Sequence, residues 1–171
     1  MASEAKNGGS IPPRDANLSL KMNITVIGGS KCSKKDYKIA QEVGRLIAQE
    51  GWTLVCGGRT GIMEAVCKGA KEKNGTTVGI LPNADGKDGN KYLDVKIPTG
   101  LGYARNVLVV RAAKIIIAIS GEYGTLSEIA FAFNEDRKVI GINTWKIKGV
   151  IKVKNAREAI NYIKEKILKK K

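Results

Sequence analysis

Three glycine-bearing turns carry the residues of this sequence that are best suited to binding a ligand. Each turn follows a short apolar run and precedes a segment with helical spacing: Gly28-Gly29-Ser30, Gly57-Gly58-Arg59-Thr60-Gly61 and Gly121-Glu122-Tyr123-Gly124-Thr125. Glycine lets the backbone approach a ligand closely, and the first turn of a helix offers unpaired N–H groups and a positive dipole end. Three such turns at one edge of a sheet predict a site for an anion, and we expect a phosphate group or a nucleotide.

The turns match neither of the two common nucleotide-binding patterns. The spacing G-x-G-x-x-G is absent at the first turn, and the chain has no G-x-x-x-x-G-K-[ST] segment. Ordinary NAD binding and P-loop hydrolysis of nucleoside triphosphates are therefore disfavoured.

The cysteine pattern predicts no metal held by the protein. The chain has three cysteines (Cys32, Cys56 and Cys67), no CxxC pair and no histidine. We expect reduced thiols that fill small apolar spaces, although Cys32 and Cys56 lie at or just past predicted strand ends and could face a ligand.

An alternation of apolar runs and amphipathic segments positions the three turns. We expect strands at 23–28, 52–56, 76–81, 93–97, 114–120 and 139–142, a short edge element at 150–153, and helices at 35–50, 61–73, 102–113, 124–135 and 156–168. Tyr103 is expected on the inner side of its helix, and residues 83–91 form a turn-rich loop.

This order of elements predicts an α/β fold of the Rossmann-like, doubly wound type. Its sheet is mostly parallel, with six or seven strands and helices on both faces. In that architecture a ligand binds beyond the carboxyl ends of the strands, which is where the three turns lie.

Length and composition indicate one domain. A chain of 171 residues, 43% of them hydrophobic, has room for a single core. Residues 1–21, with a Gly-Gly and a Pro-Pro pair, are interpreted as an added leader ahead of Met22, residues 22–168 as one nucleotide- or cofactor-binding domain, and residues 169–171 as a basic tail. No apolar run reaches the roughly 18 residues of a membrane span, so we expect a cytoplasmic protein without a membrane partner.

The charge of the chain is strongly positive, but its placement disfavours nucleic-acid binding. Lysine and arginine number 30 against 16 acidic residues, which gives a net charge of +14. Residues 146–171 contain ten basic and two acidic residues, so more than half of the excess lies there, and nothing that resembles an aromatic platform for base stacking interleaves these lysines. A lysine- and isoleucine-rich surface is also typical of thermophile proteins.

Three stretches in order resemble one known superfamily. They are GGRTGIMEAVCKGA (57–70), TTVGILP (76–82) and GEYGTLSE (121–128). They are similar to the Rossmann-like superfamily that contains the "Lonely guy" cytokinin-activating phosphoribohydrolases, long misnamed lysine decarboxylases, and the molybdenum cofactor carrier proteins. The resemblance covers about residues 22–167.

The phosphoribohydrolase motif P-G-G-x-G-T-x-x-E is only partly present. Gly121, Gly124, Thr125 and Glu128 match it, whereas Ser120 replaces the proline and Glu122 the middle glycine. The family's arginine-lysine pair corresponds to Arg105 and Asn106, so the lysine is lost. By resemblance, Arg105 would orient the ribose phosphate region, and Glu128 would act on the ribose or the attacking water.

The carrier branch fits the same residues better, because its motif resembles G-G-E-x-G-T-x-x-E. We therefore expect a protein that binds a phosphate-bearing cofactor, with the molybdenum cofactor (a pterin phosphate) held by backbone amides. The alternative is a nucleoside 5'-monophosphate phosphoribohydrolase, whose ligand would be a nucleoside monophosphate. A third and more distant reading is a basic nucleic-acid module like the related DNA-processing proteins.

Several residues allow two interpretations. Glu128 either serves the ligand or stabilises a helix dipole, Arg59 is a phosphate clamp or a solvated arginine, and Tyr123 stacks on a ring or covers its loop. Glu122 would repel a phosphate unless it points outward or pairs with a base such as Arg59. The resemblance also implies a homo-oligomer, a dimer or tetramer, for which Ala130, Phe131, Ala132 and Phe133 offer an apolar surface.

Overall fold

A central sheet of seven parallel strands organises the chain, and the computed structural model describes residues 22–168 of it. The expected leader 1–21 and tail 169–171 lie outside the described residues. The strands are β1 (Asn23–Gly28), β2 (Thr53–Cys56), β3 (Thr77–Leu81), β4 (Val95–Pro98), β5 (Ile115–Ile119), β6 (Lys138–Ile142) and β7 (Ile151–Lys152). Their order across the sheet is β4-β3-β2-β1-β5-β6-β7, and every neighbouring pair is parallel.

Five helices connect the strands. They are α1 (Lys34–Gln49), α2 (Ile62–Lys71), α3 (Asn106–Arg111), α4 (Tyr123–Asn134) and α5 (Ala156–Tyr162). A 3-10 turn, Gly102–Arg105, leads into α3, and a π-helical stretch, Ile163–Leu168, continues α5. Among residues 22–168, no helix is long and apolar enough to cross a membrane.

Helices cover both faces of the sheet, as the strand sequences require. In β5, Ile115, Ile117 and Ile119 pack into a cluster with residues of α1, α2 and α5. The alternate residues Ile116 and Ala118 pack on the other face, with residues of α3 and α4. Because successive side chains of a strand point to opposite faces, an unbroken apolar run produces this two-sided core. The predicted Rossmann-like, doubly wound fold is confirmed.

The strand order reverses at β1, whose two neighbours are β2 and β5. The chain moves outward from β1 through β4 and then returns to the other side of β1. Such a switch point leaves a crevice beyond the carboxyl ends of the two central strands. The turns after β1 and β5 flank this crevice.

Two sequence predictions are wrong. Residues 102–113 do not form one helix, because Gly102 has a φ of +54° and the chain first makes a 3-10 turn. As a result Tyr103 is 82% exposed instead of lying on an inner face. The surface expected from residues 130–133 is also reduced: Ala132 is fully buried and Phe133 packs partly against the core, which leaves Ala130 and Phe131 exposed.

Candidate functional site

A cavity of about 490 Å³ lies at the switch point. The turn after β1 supplies three of its lining residues, and the turn and first helical residues after β5 supply most of the others. The lining consists of Gly28, Gly29, Ser30, Arg59, Met63, Tyr103, Arg105, Asn106, Glu122, Tyr123, Gly124, Thr125, Ser127 and Glu128. Its volume is in the range of small-molecule sites.

Unpaired backbone N–H groups line two sides of the cavity. The N-cap of α4 is Glu122, whose side chain makes no capping hydrogen bond, so the first-turn N–H groups of Gly124 and Thr125 lack a partner within the helix. Within residues 22–168, the N–H groups of Gly29 and Ser30 also donate no hydrogen bond to protein. A Cβ added at Gly124 would meet no atom within 4 Å, so the space in front of this backbone is open.

Arg105 brings a buried positive charge to the cavity. Its residue is 7% exposed, its Nη2 donates to the Gly57 carbonyl at 3.2 Å, and its Nη1 donates to Asn106 Oδ1. The Nε atom is buried and has no hydrogen-bond partner among the described residues. Burial lowers the pKa of Arg105, with Glu128 opposing the effect, but a guanidinium stays charged in proteins. Arg105 therefore offers an anion a fixed positive charge at the wall of the cavity.

Glu128 lies beside this arginine. Its side chain is 8% exposed, and Oε1 is 3.8 Å from Arg105 Nη1. Burial raises the pKa of Glu128 to about 8, because loss of solvent outweighs the nearby positive charge. At neutral pH the carboxyl group is mainly protonated, so it leaves the charge of Arg105 largely uncompensated.

Asn106 joins Arg105 to helix α4. Its Oδ1 accepts from Arg105, and its Nδ2 donates to Ser127 Oγ at 3.2 Å. Ser127 Oγ in turn donates to the Gly124 carbonyl at 2.7 Å. This chain of hydrogen bonds fixes the guanidinium relative to the first turn of α4. Asn106, which mediates it, occupies the position at which the phosphoribohydrolase motif has a lysine.

Two exposed tyrosines stand at the rim of the cavity. Tyr103 is 82% exposed and Tyr123 is 80% exposed, although both line the cavity. The ring of Tyr123 lies 6.1 Å from that of Trp145, whose Nε1 donates to the Glu122 carbonyl at 3.3 Å. Large rings left open to solvent beside a cavity are suited to stacking on a flat ligand.

The structure brings together nine of the residues proposed from sequence for ligand binding or catalysis. The nine are Gly28, Gly29, Ser30, Arg59, Arg105, Glu122, Gly124, Thr125 and Glu128. Glu122 lines the cavity and its side chain is exposed. Arg59 pairs with Asp88 and not with Glu122: its Nε lies 3.4 Å from Asp88 Oδ2. The roles of these residues toward a ligand stay predictions.

Five other proposed residues do not line the cavity but support it. The Gly57 carbonyl holds Arg105, and the Gly58 carbonyl accepts hydrogen bonds from Asn90. Thr60 Oγ1 donates to the Ser30 carbonyl at 3.0 Å, and a Cβ at Gly61 would lie 2.5 Å from the Gly29 carbonyl oxygen. Gly121 has a φ of +111°. Their assignment as ligand-binding residues stays a prediction.

Sequence reasoning missed four lining residues: Met63, Tyr103, Asn106 and Ser127. Helical spacing carries a signal for Ser127, which lies three residues after Gly124 and therefore next to it on the surface of α4. The cysteines lie elsewhere: Cys56 and Cys67 are free thiols in the core, 3.5 Å apart, and Cys32 is a partly buried free thiol. Among residues 22–168, no group of three or more Cys, Asp or Glu side chains is placed to hold a metal ion.

The fold and the switch-point cavity define a Rossmann-like α/β protein of the kind that binds small ligands beyond its strand ends. More narrowly, the chain belongs to the SLOG cluster4 family, whose sequence profile matches residues 21–169. A protein of Archaeoglobus fulgidus is 43% identical over 143 residues, covering 82% of this chain and 93% of the relative.

Solved structures confirm the resemblance to the carrier branch. The molybdenum cofactor binding protein of Rippkaea orientalis has a TM-score of 0.80 and 36% identity, covering 84% of this chain and 96% of the other. The molybdenum cofactor carrier protein of Chlamydomonas reinhardtii has a TM-score of 0.78 and 31% identity, covering 88% and 99%.

The "Lonely guy" side of the superfamily is also represented. The cytokinin riboside 5'-monophosphate phosphoribohydrolase of Mycobacterium tuberculosis is 30% identical over 117 residues. The match spans 63% of this chain and 63% of the enzyme.

Proposed function

We propose that this protein binds a phosphate-bearing cofactor, and that the cofactor is the pterin phosphate of the molybdenum cofactor. The observation that carries the proposal is one cavity in which unpaired N–H groups of two turns lie beside the buried guanidinium of Arg105. Backbone N–H groups and an arginine donor are the groups that proteins use for phosphate.

The residues present fit such a ligand. The N–H groups of Gly29, Ser30, Gly124 and Thr125 would hold the phosphate, and the guanidinium of Arg105 would supply positive charge at the cavity wall. The exposed rings of Tyr103 and Tyr123 would take the flat pterin. The cofactor holds its molybdenum through its own sulfur atoms and would supply that metal centre when bound, so protein metal ligands are not needed. The names of the Rippkaea and Chlamydomonas proteins support the same ligand.

Phosphoribohydrolase activity is the second candidate, because Arg105 and Glu128 lie together in the cavity as its motif requires. The state of Glu128 argues against it. A carboxylate that stabilises positive charge on ribose must be ionised. Burial raises the pKa of Glu128 to about 8, so this carboxyl group is mainly neutral at pH 7. We therefore favour binding over hydrolysis.

The test is a binding titration under anaerobic conditions, with molybdenum cofactor released from a molybdoenzyme and, separately, with AMP. Arg105→Gln should weaken binding at least tenfold, since a charge-assisted bond to phosphate contributes about 1.5 to 3 kcal/mol. Arg111→Gln is the matched control and should change binding less than twofold, because Arg111 is exposed and pairs with Glu135.

Three results decide between the candidates. Binding of cofactor without release of adenine from AMP supports the carrier function. Sustained release of adenine that is lost in Glu128→Gln supports the hydrolase. Failure to bind either ligand, with the circular dichroism spectrum intact, would overturn both.

A further inference from the structure

Arg59 stands between the cavity and the loop of residues 83–91. It lines the cavity, and its side chain is 42% exposed. In this structure its Nε lies 3.4 Å from Asp88 Oδ2 in that loop. The guanidinium therefore lies next to both the loop carboxylate and the cavity.

The carboxylate of Asp88 depends on this contact. Both of its oxygens are closed off from solvent and accept no hydrogen bond among residues 22–168. A buried carboxylate without hydrogen bonds is costly, and the cost rises further when its counter-charge is withdrawn. Any ligand that draws Arg59 away must offset that cost.

The backbone around Arg59 is fixed, so only its side chain is free to exchange partners. Asn90 Nδ2 donates to the carbonyls of Gly58 at 3.1 Å and Arg59 at 3.0 Å, and the Asn90 N–H also donates to Gly58 at 2.9 Å. The side-chain oxygen of Asn90 accepts from the N–H of Tyr92 at 3.0 Å. These bonds hold the loop and the second glycine turn together whichever partner the guanidinium takes.

We propose that Asp88 sets the affinity and charge selectivity of the cavity by competing with the ligand for Arg59. The inference rests on the proposed anion site and adds a specificity residue outside it. A phosphate monoester carries enough charge to draw Arg59 from Asp88, whereas an uncharged nucleoside leaves the pair in place. Asp88 thus lowers affinity for phosphate ligands and leaves affinity for neutral ligands unchanged.

The experiment compares AMP, inorganic phosphate and adenosine as probes by isothermal titration calorimetry. Asp88→Asn should raise the affinity for AMP and phosphate about three- to fivefold, the upper range for an ion pair whose arginine is partly exposed, and leave the affinity for adenosine unchanged. Asp85→Asn is the matched control: Asp85 lies in the same loop and pairs with Lys87 at 3.7 Å, both exposed, so its removal should change AMP affinity less than twofold. Arg59→Gln should weaken AMP about tenfold.

The double variant Arg59→Gln, Asp88→Asn separates competition from a general loss of negative charge. If Asp88 acts through Arg59, the gain in AMP affinity that Asp88→Asn gives disappears in the Arg59→Gln background. A gain that persists there, or a gain equal to that of Asp85→Asn, overturns the inference while the proposed function stands. Absence of AMP and phosphate binding in every variant overturns the inference, and it also overturns the proposed anion site if the molybdenum cofactor fails to bind. If Asp88→Asn alters the thermal unfolding curve, Asp88→Ala provides the same test.

Discussion

Among individual residues, Glu128 has the environment least like that of a surface carboxylate. It is the sixth residue of α4, is 6% exposed as a whole residue and has Arg105 as its charged neighbour. Its elevated pKa makes it a hydrogen-bond donor at neutral pH. The cavity then carries a net positive charge from Arg105, which favours an anionic ligand.

This pKa predicts that Glu128→Gln changes the pH dependence of stability. The folded-state pKa of about 8 exceeds the ordinary value of 4.5, so between these values the folded chain keeps a proton that the unfolded chain has released. Stability from this group is full below about pH 4.5 and is lost as the pH rises toward 8. Between pH 5 and 8, the free energy of unfolding of the wild-type protein should therefore fall by roughly 3 to 5 kcal/mol more than that of Glu128→Gln.

Urea unfolding at pH 5, 6.5 and 8 measures the effect. Glu135→Gln is the control, because its hydrogen bond to Arg111 lowers the pKa of Glu135 and leaves it ionised throughout this range. The free energy of unfolding of Glu135→Gln should change with pH as that of the wild-type protein does. Parallel curves for wild type and Glu128→Gln would show that Glu128 is already ionised at pH 5.

Among the elements, the turn from β5 to α4 differs from what the phosphoribohydrolase motif allows. Ser120 has a φ of +51°, and its N–H donates to the Ile142 carbonyl at 3.0 Å. Proline is confined to a φ near −65° and has no N–H. The proline of that motif is therefore incompatible with this turn on two independent grounds.

Ser120→Pro should destabilise the protein by about 3 kcal/mol or more, since it forces the turn out of the left-handed region and removes a hydrogen bond. Ser120→Gly should be neutral or stabilise by up to about 1 kcal/mol, because glycine adopts a positive φ without strain. Lys34→Pro controls for proline itself: Lys34 is the first residue of α1, where proline is tolerated. Urea denaturation compares the three, and a Ser120→Pro variant as stable as Lys34→Pro would contradict this account of the turn.

Regular elements were accessible from the sequence, whereas contacts between loops were not. β5 is buried on both faces and reads as a continuous apolar run, so its bounds were predicted to within one residue at each end. Helical spacing from residue 102 placed Tyr103 inward, because the sequence does not reveal that Gly102 starts a 3-10 turn. The pairing of Arg59 with Asp88 joins two irregular loops, and no periodicity encodes such a contact.

For the molecule as a whole, the basic C-terminal region and the cavity lie at opposite edges of the sheet. Binding of DNA to the basic region can therefore be separated from binding of a small anion in the cavity. In a parallel sheet, each connecting helix runs from the carboxyl edge back to the amino edge. Helix α1 therefore ends at the amino edge, where Lys164 Nζ lies 2.7 Å from Glu50 Oε1. The chain enters its lysine-rich end at the edge opposite the cavity.

Removal of residues 169–171 should consequently change DNA retention but not ligand binding. Retention of duplex DNA at low salt should weaken. The plot of the logarithm of the DNA binding constant against the logarithm of the salt concentration should become less steep by up to about 3, since three lysines are lost. AMP affinity should stay within twofold of the full chain, because Lys164, five residues before this segment, lies at the edge opposite the cavity. Fluorescence anisotropy of labelled DNA, with AMP as competitor, measures both. Displacement of DNA by AMP would place the nucleic acid in the cavity and contradict the separation of the two regions.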